Sequence, residues 1–566
     1  MGRPEKIRLG EILVQQQLLT QDKLQLALGL QKRSGRKLGR ILIDGGHVSE
    51  EQIGGALARQ LQIPYIDLKH FNIHPEVSTR LPETLARRFR AIVLEETASS
   101  YRVGMADPTD LFGYDQINRV LKRDIELAVV GESLLMQTID RIYRRTEEIS
   151  GLALELGAEL GESVDLGELG LSPGAEDAPV VKLLQSVFED AVQVRASDVH
   201  IEPQENKVLI RFRIDGVLHV QAEADSKIAA ALILRLKLMS GLDISERRMP
   251  QDGRFHIKVR NSPIDVRIST MPIQHGESAV MRLLNQSGGI LRLESIGLPA
   301  DMLVRLREII ERPSGMVLVT GPTGSGKTTT LYAALDELNT SERKIITVED
   351  PVEYRLPGIN QVQIHEKIDL SFSRVLRSAL RQDPDVLLVG EMRDQDTVET
   401  GLRAAMTGHM VFSTLHTNDA ISTPIRLLDM GAPRYMVAMS LQVVVAQRLL
   451  RLVCDSCGEF QRPNAQQRLW LQQVLNGQAD DREYRQGRGC THCNGTGYLG
   501  RTGIYEMLEM TKPVVDAANQ PDPVIFMDVA RQQMEGHTLQ DHAVELVVQG
   551  KTTVEEAMRI SAQLDD

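Results

Sequence analysis

The 566-residue chain has no run of 18 apolar residues, a single tryptophan, 4% aromatics and only four cysteines. Each scarcity excludes something. Without a long apolar run, no membrane span is expected. The opening MGRPEKIRLGE lacks the apolar core of a secretory signal, and Gly2 is not followed by the Ser or Thr of a myristoylation signal. The expected compartment is therefore the cytoplasm. Few aromatics mean few platforms for stacking bases. Lysine plus arginine total 65 against 77 aspartates plus glutamates, a net charge of −12, which argues against a surface that coats nucleic acid. What remains, 42% hydrophobic and 25% charged residues, suits a globular chain of about three or four domains.

A repeat opens the chain. RLGEILVQQQLLTQDKLQLALGLQ (8–31) and KLGRILIDGGHVSEEQIGGALARQ (37–60) align at an offset of 29. Each copy predicts a short helix, a turn and a longer helix. Only Ser49, with Gln52 three residues on, fits a capping box. Two leucine-packed helical hairpins are the plain reading. Beyond them, IPYIDL reads as a strand, AIVLEE and YRVGMADP as a hairpin, and 114–145 as helix enclosing a strand near IELAVV. Residues 151–177 carry seven acids, six glycines and no lysine or arginine, and read as a mobile linker. Because leucines recur there, a short docked helix is the alternative. From Pro179 a strand-rich α/β module begins, and from Gly297 helices alternate with the buried strand candidates MVLVT, KIITVED, DVLLVGE and HMVFSTLH. Such alternation predicts a mostly parallel sheet covered by helices.

The most specific motif is GPTGSGKT at 321–328, in the form G-x-x-x-x-G-K-[ST] between a strand and a helix. Gly321, Gly324 and Gly326 let the backbone curl so that the N–H groups of Pro322–Thr329 (proline excepted), through Thr323 and Ser325, face phosphates. Lys327 can bridge β- and γ-phosphates, and Thr328 can hold Mg²⁺. Glu391, ending VLLVGE, is the candidate to polarise the attacking water; its alternative is a strand-end ion pair. Glu349, Asp350 and Glu353 crowd another strand end, as a metal and water shell or as a solvated acidic turn. His409 and His416 flank a further strand, where one could sense the γ-phosphate or both could be structural. Arg213, Arg254 and Arg267 lie on middle-domain strands, either as phosphate contacts from another domain or subunit or as ordinary ion pairs.

Cys454, Cys457, Cys490 and Cys493 form two C-x₂-C knuckles with 32 residues between them. Four thiolates so spaced suit tetrahedral Zn²⁺. Two disulfides would fit a cytoplasmic nucleotidase poorly.

Taken together, the P-loop, ITVEDPVE (346–353), LLVGEMRD (387–394), TGHMVFSTLHTNDA (407–420), RASDVHIEP (195–203) and the tetracysteine knuckle resemble the secretion and type IV pilus assembly ATPases, on the extension branch. The resemblance implies an α/β fold in four parts. Residues 1–147 form a mainly helical N-terminal domain, 148–177 an acidic flexible linker, 178–296 a PAS-like α/β middle domain, and 297–566 a RecA-like P-loop domain with a zinc insertion at about 450–500. It further implies a homohexamer with ATP and Mg²⁺ between middle and RecA-like domains, docked peripherally on an inner-membrane platform protein, without nucleic acid. Glu391 would be the catalytic glutamate, Glu349 and Glu353 the acidic box, and His409 and His416 the histidine box. The repeat resembles the cyclic di-GMP-binding N-terminal domain of MshE-type pilus ATPases. In that domain Arg8, Leu9, Gln31, Leu38, Gln60 and Asp107, with Arg87 or Arg88, would meet the ligand. Two positions depart from the pattern: Gln17 replaces a glycine, and Lys37 an arginine, which keeps charge but loses the planar fork. The implied function is ATP-driven assembly of an MSHA-like pilus under cyclic di-GMP control. A type II secretion ATPase is the alternative, and a non-enzymatic scaffold and a nucleic-acid translocase are the more distant ones.

Overall fold

The computed structural model describes residues 9–565, apart from 35–36, 72, 98, 144–145, 162–177, 260–261, 286–290, 476–481 and 491–492. The repeat folds as its spacing predicts. Leu9–Gln15 and Gln21–Ser34 form the first hairpin, Leu38–Asp44 and Glu50–Leu61 the second. The copies interlock, the first helix of each packing on the second helix of the other. Leu13 and Leu42, aligned by the repeat, are both fully buried. Ser49 caps its helix as expected, its Oγ accepting from Gln52 N at 3.2 Å while Ser49 N donates to Gln52 Oε1 at 2.9 Å.

One of the repeat's two departures is visible in the backbone. The turn that Gly46 makes at φ +65° is made in the first copy by Gln17 at φ +58°. A side chain in that left-handed region costs roughly 1–2 kcal/mol.

Residues 63–68 do not form the strand expected of IPYIDL. They contribute a single bridge, Tyr65 to Val129, with Ile66 N donating to Val129 O and Val129 N to Pro64 O, each at 2.9 Å. Pro64 has no N–H to extend the ladder, and Asp67 bends the chain by accepting from Lys69 N at 2.9 Å. The hairpin Ala91–Glu96/Ser100–Met105 forms, and Asp124–Val129 joins it in parallel between helices Leu111–Leu121 and Glu132–Ile142.

The expected linker is partly a correction. Thr146–Gly161 is a helix, and its Ile149, Ala153 and Leu156 are buried in the middle-domain core. Those residues recur at intervals of four and three, so an acidic, glycine-containing segment still presents one apolar stripe. The rest of that expectation, 162–177, lies outside the described residues. The middle domain is a six-stranded antiparallel sheet, in the order Val217–Asp225, Lys207–Ile214, Asp198–Pro203, Gly276–Asn285, Ser262–Ile273, Gln251–Val259. Helices Pro179–Gln193 and Ala229–Ser240 share its core.

The last domain holds a seven-stranded sheet, in the order Asn360–Gln363, Ile345–Glu349, Val386–Val389, Met410–Leu415, Gly315–Thr320, Leu441–Val453, Tyr498–Glu509. All neighbours are parallel except the final pair. The central strands Gly315–Thr320, Val386–Val389 and Met410–Leu415 are mostly apolar and wholly buried, as strands covered on both faces require, while the edge strand Asn360–Gln363 is polar and partly exposed. Their C-terminal ends share one edge, where ligands of open α/β sheets bind. Among the described residues no helix is long and apolar enough to cross a membrane.

Replacing Gln17 with glycine should relieve the turn without touching the core. Glycine's greater freedom when unfolded takes back part of the gain. The expected outcome is up to about 1 kcal/mol of added stability in the N-terminal domain, read as a higher midpoint in chemical denaturation of the Gln17→Gly chain.

Candidate functional site

The strand Gly315–Thr320 is wholly buried and delivers the glycine loop to the sheet edge. Helix Lys327–Leu338 begins directly after it. Gly321, Gly324 and Gly326 all take positive φ, at +142°, +81° and +91°. At Gly321 the reason is also steric, since a Cβ there would lie 2.5 Å from the Gln447 carbonyl oxygen. Pro322, Thr323 and Gly324 form an exposed arc, Ser325 is buried, and Thr328 and Thr329 open the helix. The loop is held from behind by Gln447, whose Nε2 donates to Ser325 O and whose Oε1 accepts from Thr330 Oγ1, both at 2.7 Å. Arg448 is also buried and donates to the Asn418 carbonyl at 2.7 Å. Burial holds its pKa below the ordinary arginine value.

Lys327 Nζ lies over the loop and donates to the carbonyls of Gly321 (2.7 Å) and Pro322 (3.0 Å). Burial, with the charge of Arg448 adding and that of Glu391 opposing, brings its pKa down to about 8.

Beside the loop, a cavity of about 150 Å³ is lined by Thr328, Tyr332, Glu349, Asp350, Glu353, Glu391, Thr414 and His416, among others. The Glu391 carboxylate is paired with Arg393 and lies 3.6 Å from His416 Nε2. Glu349 is buried and accepts hydrogen bonds from Tyr332 OH, Thr347 Oγ1 and Gln361 Nε2. Its lone pairs are spent on fixing the strand end, whereas Glu391 keeps access to the cavity. Glu353 makes a 3.0 Å ion pair with Arg267, which also donates to Val352 O at 2.8 Å. One middle-domain arginine therefore reaches the acidic turn.

The other expected site residues lie elsewhere. Arg254 pairs with the buried Asp265 at 2.7 Å, and Arg213 lies 3.7 Å from Asp198 and donates to Gly216 O at 3.0 Å, each inside the middle sheet. His409 precedes the strand that His416 follows, which puts the two about 20 Å apart. Its Nδ1 donates to Ala404 O at 3.0 Å, at the edge away from the loop. Gln447, Arg448, Tyr332 and Arg393 are site residues that motif reading misses. The first two could have been found as a polar pair interrupting the apolar strand LQVVVAQRLLRLV.

The four cysteines converge. Their sulfurs lie within 4.8 Å of one another, and three pairs (454–490, 457–493, 490–493) are 3.8 Å apart. Corners of a tetrahedron centred 2.3 Å from each sulfur are separated by about 3.8 Å, so the set fits Zn²⁺ and is far too open for disulfides. Cys490 N and Gly497 N donate to Cys493 Sγ at 3.2 and 3.1 Å, the contacts a thiolate needs.

In the N-terminal domain a cleft of about 1100 Å³ runs between the helical repeat and the sheet. Leu9, Gln31, Leu38 and Asp107 line it, with Lys37, Arg40, Arg90 and Glu132. Gln60 is exposed and off the wall, Arg87 pairs with Glu83 at 2.8 Å, and Arg8 lies outside the described residues. Lys37 ion-pairs with Asp107 across the cleft, and Arg90 with Glu132 at 2.7 Å. Burial opposes the Asp107 charge, but hydrogen bonds from Lys37 and Thr109 prevail and hold it below the usual carboxylate range.

Residues 174–559 match the family described as type II/IV secretion system protein, and 61–149 match the MshEN domain. The chain is 39% identical to the type IV pilus assembly ATPase PilB of Myxococcus xanthus, over 97% of this chain and 98% of that one. It is also 39% identical to the type II secretion system ATPase E of Vibrio cholerae, over 86% and 97%. In fold it is similar to the ATPase DotB of Legionella pneumophila, with a TM-score of 0.51 at 22% identity, covering 68% of this chain and 96% of that one.

A phosphate bound at the loop favours the charged form of Lys327 and raises its pKa from about 8 toward or above the free value. Nucleotide binding should therefore take up a proton between pH 8 and about 10, and affinity should fall as pH rises through that window. Calorimetry in buffers of different ionisation enthalpy checks the uptake, which Lys327→Arg should remove.

Proposed function

The chain belongs to the type II/IV secretion system protein family and is an ATP-hydrolysing enzyme, and on that premise we propose that it drives assembly of an MSHA-like type IV pilus under cyclic di-GMP control. In this reading it works in the cytoplasm as a homohexamer docked on an inner-membrane platform protein. The observation that carries its ATP-hydrolysing core is the convergence of Thr328, Glu391 and His416 on one cavity beside the glycine loop. The loop amides and Lys327 hold the phosphates. Thr328 would hold Mg²⁺, which would supply neutralisation of charge on them. Glu391 orients and polarises water, and Arg393 and His416 keep its carboxylate in place. Glu349 fixes the strand end, and Glu353 ties the acidic turn to Arg267. That arginine rides on the middle domain and can respond to nucleotide by moving it. Arg213 and Arg254 serve phosphate only after leaving Asp198 and Asp265. His409 has a structural part.

For the regulatory ligand, the supporting observation is a cleft with two leucines from equivalent repeat positions, Leu9 and Leu38, and three cations on its walls. Leucines can cover purine faces, Gln31 can bond a base edge, and Lys37, Arg40 and Arg90 can meet the two phosphates. The second reading, a type II secretion ATPase driving pseudopilus assembly, is favoured by the equal identity to the Vibrio cholerae relative. Deleting the gene separates the two, through loss of surface fibres or loss of secreted proteins.

Glu391→Gln should lower phosphate release by about 10²–10⁴-fold while ATP still binds, measured by a steady-state phosphate assay beside a binding titration. Unchanged turnover would remove Glu391 from the mechanism. In the cleft, Lys37→Ala should weaken cyclic di-GMP binding about tenfold. Lys37→Arg, which restores a fork, should tighten it, and calorimetry on the full chain reads both.

A further inference from the structure

Among the described residues, two attachments link the N-terminal domain to the rest of the chain. Its chain leaves by the helix Thr146–Gly161, which packs on the middle domain. Its other attachment is non-covalent and falls on the first cysteine knuckle. Lys69 Nζ lies 3.3 Å from Asp455 Oδ2, His70 Nδ1 donates to the Asp455 carbonyl at 3.3 Å, and Ser456 Oγ donates to the Lys69 carbonyl. Asp455 and Ser456 are the two residues between Cys454 and Cys457. Three contacts of different kinds thus meet a single four-residue loop.

Both sides of this contact are anchored. On the knuckle side, the second Asp455 oxygen accepts from Arg485 Nη2 at 3.0 Å, and Arg485 Nη1 donates to Gly550 O at 3.3 Å. Val453 N donates to Lys551 O at 2.9 Å. On the other side, Leu68 is fully buried in the N-terminal core, and the segment before it is bonded to Val129. Val129 and Gly54 line the large cleft, and a Cβ on Gly54 would lie 2.4 Å from the Tyr65 ring. Residues 64–70 therefore run without a break from the cleft wall to the knuckle. The knuckle continues the strand Leu441–Val453, whose Gln447 and Arg448 back the phosphate loop.

We propose that the Cys454–Cys457 knuckle is the docking platform on which the N-terminal domain seats on the motor, and that the metal held by the four cysteines keeps this platform in shape. The metal cross-links the loop at both ends, so the Asp455 carbonyl, the Asp455 carboxylate and the Ser456 hydroxyl are presented together. Lys69 and Asp455 are about half exposed, at 53% and 45%, and exposed ion pairs are individually weak. Tethering through 146–161 raises the local concentration of the partner surface, so weak contacts suffice and stay reversible. Such a seat can be released without unfolding either domain. The inference stands whatever the cleft binds.

The test is zero-length carbodiimide coupling on the full-length, zinc-loaded protein, read by peptide mass spectrometry. An amide between Lys69 and Asp455 is expected. The Lys207–Glu223 pair, at 2.9 Å inside the middle sheet, serves as internal control. Stripping zinc with a chelator should reduce the Lys69–Asp455 product about tenfold or more and leave the Lys207–Glu223 product unchanged. Ser456→Ala, with zinc content confirmed by metal analysis, should reduce it several-fold by loosening the seat. The proposal is overturned if the control couples and Lys69–Asp455 does not. It is equally overturned if the product persists undiminished after zinc removal.

Discussion

The nucleotide edge depends on one buried amide. Gln447 spends its NH₂ on the Ser325 carbonyl and its oxygen on the Thr330 hydroxyl, so a single side chain spans the glycine loop and the helix that follows it. A neutral hydrogen bond nets about 1 kcal/mol, but stranding a buried partner costs roughly 1–3 kcal/mol. Losing Gln447 would strand two. The backbone of the same residue forms the floor of the loop, against which only glycine fits at 321. The phosphate cradle is therefore shaped as much by the strand Leu441–Val453 behind it as by its own glycines. That strand pairs in parallel with Gly315–Thr320, so the register of the sheet sets which residue stands behind the loop.

The rest of the site follows from the sheet's polarity. Parallel strands bring Gly321, Asp350, Gly390 and His416 to one edge because each follows the C-terminal end of its strand. His409 falls at the other edge for the same reason. Across this edge the middle domain makes contact through Arg267, to a carboxylate and a carbonyl on the acidic turn. It makes another contact through Asp215, which accepts from Gly500 N at 3.1 Å and lies 3.4 Å from Arg501 Nε. Both are polar and partly exposed, weak enough to be rearranged. Interfaces of that strength would let one domain shift against the other. A sealed apolar joint would resist the motion.

What could be read in the sequence was what is local. The glycine loop, the cysteine pairs and the Ser49 capping box each depend on spacing within a few residues, and each folds as its spacing says. Thr146–Gly161 was harder, because acids and glycines favoured a linker and recurring leucines a docked helix, and only the middle-domain core against its stripe decides for the helix. Arg213 and Arg254 looked equivalent to Arg267 on their strands. What separates them is which acid stands opposite, Asp198 and Asp265 within the sheet or Glu353 across a domain boundary, and pairing of that kind is tertiary. Glu349 and Glu391 are likewise alike in sequence, each an acid at a strand end. Tyr332 and Gln361, distant in the chain, bond the buried one, whereas the other stays part-exposed beside Arg393 and His416.

The N-terminal cleft shows how a charged pocket can stay stable and yet admit an anion. Lys37, Arg40 and Arg90 each stand beside an acid while staying more than half exposed, and Asp107 is the direct partner of Lys37. Taking Lys37 away from Asp107 would ordinarily strand a carboxylate. Here Asp107 also accepts from Thr109, through the backbone N–H at 3.3 Å and the hydroxyl at 2.5 Å. An incoming anion can therefore take the lysine while the aspartate keeps two donors. The exchange swaps one charged bond for another and orphans nothing, which is the condition for a polar site to bind reversibly. An arginine here would grip the anion more tightly through its planar fork, whereas lysine's single point charge swings between partners on a flexible stem and keeps the exchange easily reversed.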